Sequence, residues 1–148
     1  MDLILWRHCE AEDGLDDLAR RLTPKGHRQA KRMAGWLASR LPEGCRIIVS
    51  PARRTLETAA ALGRPHQTLD ELAPGASVED VLEAAQWPAA KAVLVVGHQP
   101  TLGDVASRLL VDDAIGWSMK KGAIVWIAQR DDDGAAVKLR AALSPDIV

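Results

Sequence analysis

Three short stretches of this chain are apolar at every position: residues 3–6, 47–49 and 92–96. A strand with one face in water alternates apolar and polar side chains, whereas a strand covered on both faces need not. Brevity and β-branched content make these runs buried strands of a mostly parallel sheet. Helical patterns lie between them. Ala30, Met33, Ala34, Leu37 and Leu41 share one face, behind Thr23-Pro24, an N-cap followed by proline at the first helical position. Ser50-Pro51 repeats that start signal, before a stripe of Thr55, Leu56, Ala59 and Leu62 that ends at Gly63. Ser77 and Asp80 form a capping-box pair ahead of Val78, Val81, Leu82 and Ala85. Pro100 opens a helix with Leu102, Val105, Ala106, Leu109 and Leu110 inward. Residues 123–128 and 137–143 read as two strands joined across Asp131-Asp132-Asp133-Gly134, a hairpin turn. The expected fold is α/β: residues 1–148 form a single three-layer domain with a mostly parallel central sheet flanked by helices. An antiparallel hairpin lies at its C-terminal edge.

Reactive residues gather where these strands end. The first strand runs into Arg7-His8-Cys9, the second into Ser50-Pro51 with Arg53 and Arg54 in the next first turn, and the third into Gly97-His98. In open α/β sheets, ligands bind outside the carboxyl ends of the strands. If the three strands are neighbours, Arg7, His8, Arg54 and His98 converge beside helix N-termini. Guanidinium forks, imidazoles and exposed backbone N–H groups together describe a pocket for a phosphate-like dianion.

The same residues carry a family resemblance. Arg7-His8 after an N-terminal strand resembles the Arg-His-Gly signature of the histidine phosphatase (phosphoglycerate mutase-like) superfamily. The run from Leu22 to Gly26 is similar to its Leu-Thr-x-x-Gly segment. The block from Ser50 to Ala59 resembles Ser-Pro-x-x-Arg-x-x-x-Thr-Ala, and Gly97-His98-Gln99-Pro100 resembles its late Gly-His block. Short length and the Leu-Thr-x-x-Gly and Gly-His-x-Pro variants look most like the compact SixA-type phosphohistidine phosphatases. The resemblance implies His8 as nucleophile, forming a phosphohistidine, with Arg7, Arg54 and His98 on the phosphoryl oxygens and Arg20 as a further contact. It also implies a general acid between the Ser-Pro and Gly-His blocks, for which Glu71, beside Asp70, is the candidate. Neutral imidazole attacks phosphorus without first losing a proton, and transition-state charge needs fixed cations already in place. Cys9 stands where the family usually has glycine. It is strained if that position requires positive φ and a small filler if it does not.

Other chemistries are excluded by residue identity. A Cys-x5-Arg phosphatase loop would need arginine at Leu15 or Pro51. Asp131-x-Asp133 has too little chain after it for a haloacid dehalogenase fold, and no Walker loop is present. The histidines at 8, 27, 66 and 98 lack ligand spacing, so neither metal nor cofactor is expected, and His27 and His66 read as solvated. A net charge of −1 gives no reason to expect nucleic acid or an anionic membrane as partner. No signal-peptide core or membrane span is apparent, which makes the cytoplasm the expected location. The short segment between Arg54 and His98 leaves little for a cap, so an open pocket is expected. That favours a phosphorylated protein, and phosphohistidine by resemblance. The alternatives are a small phosphate ester as substrate, or a domain that binds phosphorylated ligands without turnover.

Overall fold

The computed structural model describes residues 1–131 and 134–148. Its strands are β1 (Asp2–Arg7), β2 (Arg46–Val49), β3 (Gln67–Thr68), β4 (Ala92–Gly97), β5 (Ile124–Gln129) and β6 (Val137–Leu143). Its helices are α1 (Pro24–Ala38), α2 (Arg53–Ala60), α3 (Val78–Ala84) and α4 (Thr101–Val111). One six-stranded sheet runs in the order β3-β2-β4-β1-β5-β6. The β3–β2, β2–β4 and β4–β1 pairs are parallel, and β5 and β6 add an antiparallel edge. Of the turn between β5 and β6, Asp132 and Asp133 lie outside the described residues.

The continuous apolar runs follow from two separate cores. Leu3 and Leu5 of β1, Ile48 of β2, and Val93 and Val95 of β4 face α3 and α4, which contribute Val81, Leu102 and Val105. Their neighbours Ile4, Trp6, Ile47, Val49, Leu94 and Val96 face α1 and α2 through Met33, Leu37 and Ala59. Successive side chains alternate between faces, and here both faces are covered. The layered α/β expectation therefore holds.

Local signals held at two helix starts. Thr23 caps α1 by accepting from Gly26 N, and Ser77 with Asp80 forms the reciprocal capping box of α3. Pro100 precedes α4 as its N-cap residue. The start of α2 differs from expectation: it begins at Arg53 with Ala52 as N-cap, because the Ser50 hydroxyl is engaged with His98 instead. The strand β3 was not anticipated, since its two residues are polar and exposed and leave no apolar pattern.

Gly26 is fixed by a close approach. The first turn of α1 packs on the chain just beyond β1, and a Cβ at Gly26 would overlap the Glu10 carbonyl. Thr23 bonds the same place, its backbone N donating to Glu10 O at 3.0 Å and its hydroxyl to Glu10 Oε2 at 2.8 Å. The Leu-Thr-x-x-Gly segment thus latches α1 to the chain that carries the site. Gly26→Ala should cost stability near the top of the ~1–3 kcal/mol typical of overpacking. An unchanged Tm in a thermal melt would show that the latch can shift without penalty.

Candidate active site

Strand register brings the reactive residues to one level. Arg7 pairs with Gly97 across β1 and β4, and Val49 pairs with Val96 across β2 and β4. The next residue of each strand continues the ladder, with His8 N donating to Gly97 O at 3.0 Å and Ser50 N to Val96 O at 3.1 Å. His8 and His98 then face each other with ring centroids 5.4 Å apart. Arg54, in the first turn of α2, places Nη2 3.4 Å from His98 Nδ1. Arg7 is anchored by Nη1 donating to Met119 O at 2.7 Å.

Hydrogen bonding assigns the tautomer of each imidazole. His8 Nδ1 lies 2.7 Å from the Cys9 carbonyl, which only accepts, so Nδ1 carries the proton and Nε2 the free lone pair. Arginine only donates, so His98 Nδ1 is an acceptor and its Nε2–H donates to Ser50 Oγ at 2.7 Å. Ser50 therefore orients the second histidine, a role its sequence reading as a helix signal did not contain. Thr58 does similar work one turn after Arg54. Its Oγ1 donates to Arg54 O at 2.7 Å and accepts from Cys9 N at 3.0 Å, tying α2 to the loop that bears His8.

Both histidines are held neutral. Burial, then the positive charges of Arg54 and Arg7, lower His8 to about 4 against the pull of its Cys9 carbonyl bond. Burial, Arg54 and His8 lower His98 to about 3. Burial also lowers the Arg7 guanidinium. Among the described residues, the buried side-chain polar atoms without a hydrogen-bond partner are Arg7 Nε and Arg54 Nε. Orphaned buried donors are rare, and two on the arginines flanking one imidazole mark a place built for an anionic acceptor.

Asp17 enters this set unannounced by the sequence. Its carboxylate lies 3.1 Å from Arg54 Nη2 and 3.2 Å from Arg20 Nη1, and its carbonyl accepts from Arg54 Nη1 at 2.6 Å. Arg20 is further fixed by Nε donating to Glu12 O at 2.7 Å. The hydrogen bond from Arg54 leads the causes that lower the Asp17 carboxyl. A carboxylate bridging two arginines engages the same donors a phosphoryl group would use. His8, Arg54 and His98 are only 6%, 4% and 5% exposed. What lies against Arg54 is the turn around Asp17, before α1. The expectation of an open pocket rests on the segment between Arg54 and His98 and leaves this turn out. No side chain of residues 59–97 hydrogen-bonds Arg7, His8, Arg54 or His98 among the described residues.

Glu71 is placed elsewhere: it is exposed and lines a groove with Arg46, Asp80 and Glu83, apart from the histidines. Cys9 lies outside the positive-φ region, is fully buried with Ala11, Leu22 and Ala30, and burial pushes its thiol up to about 12. It is a small filler, and a thiol rather than a thiolate. His27 and His66 are exposed.

Two expectations follow. Because both site histidines have folded pKa values below the unfolded 6.5, the unfolded chain binds more protons between about 6.5 and 3. Stability should be full above that window and fall as pH drops through it. Melts across the window should show a shallower decline for His98→Gln than for the parent chain, and parallel curves would refute the assignment. Separately, Asp17→Asn should tighten inhibition by inorganic phosphate about two- to fivefold, the worth of a half-exposed ion pair. Weaker inhibition would mean that Asp17 holds Arg54 in place for the anion rather than competing with it.

The sequence profile of the histidine phosphatase superfamily (branch 1) matches residues 3–77. The phosphohistidine phosphatase SixA of Escherichia coli K12 is 31% identical over 119 residues, covering 74% of this chain and 74% of SixA. An uncharacterized Mycobacterium tuberculosis protein is 34% identical over 107 residues, which are 68% of this chain and span 66% of that relative's length. A protein histidine phosphatase SixA solved in complex with tungstate aligns over 99% of both chains, with TM-score 0.80 and 27% identity. On sequence and fold together, this chain belongs to the histidine phosphatase superfamily, on its compact SixA-like side.

Proposed function

We propose that this chain is a phosphatase that removes phosphate from phosphohistidine in proteins, with His8 as the transient carrier. Family membership supports a hydrolase that works through a phosphohistidine intermediate. The observation that carries the residue assignment is the tautomer-locked His8, whose Nε2 lone pair is free between two arginines with orphaned donors. In the first step that lone pair attacks phosphorus and the P–N bond to the substrate imidazole breaks. The leaving nitrogen keeps the electron pair and takes a proton from solvent. In the second step water attacks phospho-His8, its proton passes to solvent, inorganic phosphate departs and His8 is restored. Arg7, Arg54 and Arg20 match the charge on the equatorial oxygens, which is where phosphoryl transfer needs it. His98, neutral by itself, is drawn toward its charged form when a dianion replaces part of the cationic field around it.

The preference for an N–P bond rests on the acids near the site. An alcohol leaving group needs a positioned proton donor, worth about 10²–10⁴ in rate. Asp17 is held ionised by two arginines, and Glu71 lines another groove. An imidazole leaving group dispenses with that donor. No helix among the described residues is long and apolar enough to cross a membrane. Both cysteines are free, which fits action in the reducing cytoplasm.

Rapid quenching during turnover should trap acid-labile phosphate on His8, and His8→Ala should abolish turnover while the chain stays folded. Arg54→Ala should lower the rate by about 10²–10³, as for loss of one transition-state donor. Tungstate should inhibit competitively and chelators should change nothing. Phosphohistidine and activated aryl phosphates should be cleaved, sugar phosphates and phosphoserine barely. A sugar phosphate preferred in kcat/KM, with its hydrolysis suppressed by Glu71→Gln, would replace this reading with a small-molecule esterase. Binding without any turnover would leave a phospho-ligand binding domain.

A further inference from the structure

A groove of about 750 Å³ opens beside the site and shares Arg7 with it. One wall is the exposed face of α1, where Lys25, Arg28 and Arg32 recur at helical spacing, and the other is the segment carrying Lys120 and Lys121. With Arg7 these are six basic side chains, against which the lining supplies only Glu10 and Asp146. The two acids offset part of this and leave an excess of four positive charges: Asp146 pairs with Lys120 at 3.0 Å, and Glu10 accepts from the Thr23 hydroxyl. Arg32 donates to a carbonyl, Pro145 O at 2.8 Å. Lys25, Arg28 and Lys121 have no ion-pair partner among the described residues. This local excess sits on a chain of net charge −1.

We propose that this groove docks an acidic segment of the phosphoprotein substrate, laid along α1 and leading the phosphorylated side chain past Arg7 to His8. The proposal rests on the phosphohistidine reading and names the partner surface that reading requires. Length argues for a polypeptide over a small anion: Lys25 and Arg32 are seven positions apart on α1, roughly 10 Å at 1.5 Å per residue. One phosphate spans far less, whereas successive Glu or Asp side chains on a helix or extended segment match that spread. Exposed cations of this kind act mainly on encounter rate, KM and salt dependence rather than on the chemical step.

The test uses two synthetic phosphohistidine peptides, identical except that four flanking positions are Glu in one and Gln in the other. Their unphosphorylated forms serve for binding by fluorescence anisotropy. The parent chain should favour the Glu peptide in kcat/KM, and raising salt should erase the preference. Combined Lys25→Glu, Arg28→Glu and Lys121→Glu should raise KM for the Glu peptide about tenfold. kcat, and hydrolysis of p-nitrophenyl phosphate, should stay the same. If the triple reversal does not fold, the corresponding Gln substitutions should show a smaller shift in the same direction. Equal kcat/KM for the two peptides, or an equal loss on p-nitrophenyl phosphate, would overturn the groove assignment while leaving the phosphatase reading intact. Binding of the unphosphorylated Glu peptide without cleavage of either phosphopeptide would do the reverse. Tighter binding of a DNA oligonucleotide or of phosphatidylserine vesicles than of the Glu peptide, lost in the same variants, would also overturn it.

Discussion

Two guanidinium groups held inside a protein beside two imidazoles set the terms for this structure. A buried cation is expensive unless hydrogen-bonded or paired. Here the pairing is deliberately incomplete. Arg7 has one carbonyl, Arg54 has the carbonyl and carboxylate of Asp17, and each keeps an unpartnered Nε. Burial first, and then the positive field that results, depress both histidines. A neutral His8 keeps a lone pair available across the whole neutral range, and the unpartnered guanidinium donors favour an anionic acceptor.

Fold geometry makes that concentration of charge affordable. Three parallel strands end at one level, so His8 and His98 follow paired positions on adjacent strands and Ser50 follows the third. The block from Ser50 to Thr58 then spends every polar side chain it brings inward. Ser50 turns His98, Arg54 faces the anion site, Thr55 bonds back to Ser50 and Ala52 carbonyls, and Thr58 holds Cys9. The helix start was misread for this reason: the serine that would have capped it serves the histidine.

What was legible in the sequence is what periodicity and strand ends encode. Unbroken apolar runs report burial on both faces, and that burial dictates the layers. Reactive residues just after such runs fall at the carboxyl edge, and Arg7, His8, Arg54 and His98 do converge there. Asp17 left no trace because it opens a single 3₁₀ turn, Asp17–Ala19, too short and too exposed to leave an apolar pattern. That turn's position depends on closure between Ala11 and Leu22, a pairing that no local pattern announces. Glu71 shows the converse limit. Lying in the right interval of sequence, it follows β3, the edge strand, and lines a groove with Arg46, Asp80 and Glu83, whereas the histidines follow β1 and β4 inside the sheet. Interval along the chain is not position on the sheet.

The basic groove was invisible for the same reason, since its walls come from α1 and from residues more than eighty positions later. Net charge concealed it as well: near neutrality overall is compatible with a strongly one-signed face, because opposite charges far apart barely cancel beyond a Debye length of about 8 Å. Arg7 belongs to both regions, so the field that steers an acidic segment into the groove is continuous with the field that waits for the phosphoryl group. The two demands differ in kind. The groove's charges lie in water, where they are screened, while Arg54 beside His98 is buried, where a charge acts more strongly. A chain organised this way can change what the groove accepts by altering exposed Lys25 and Arg28 of α1 without disturbing the buried histidine pair.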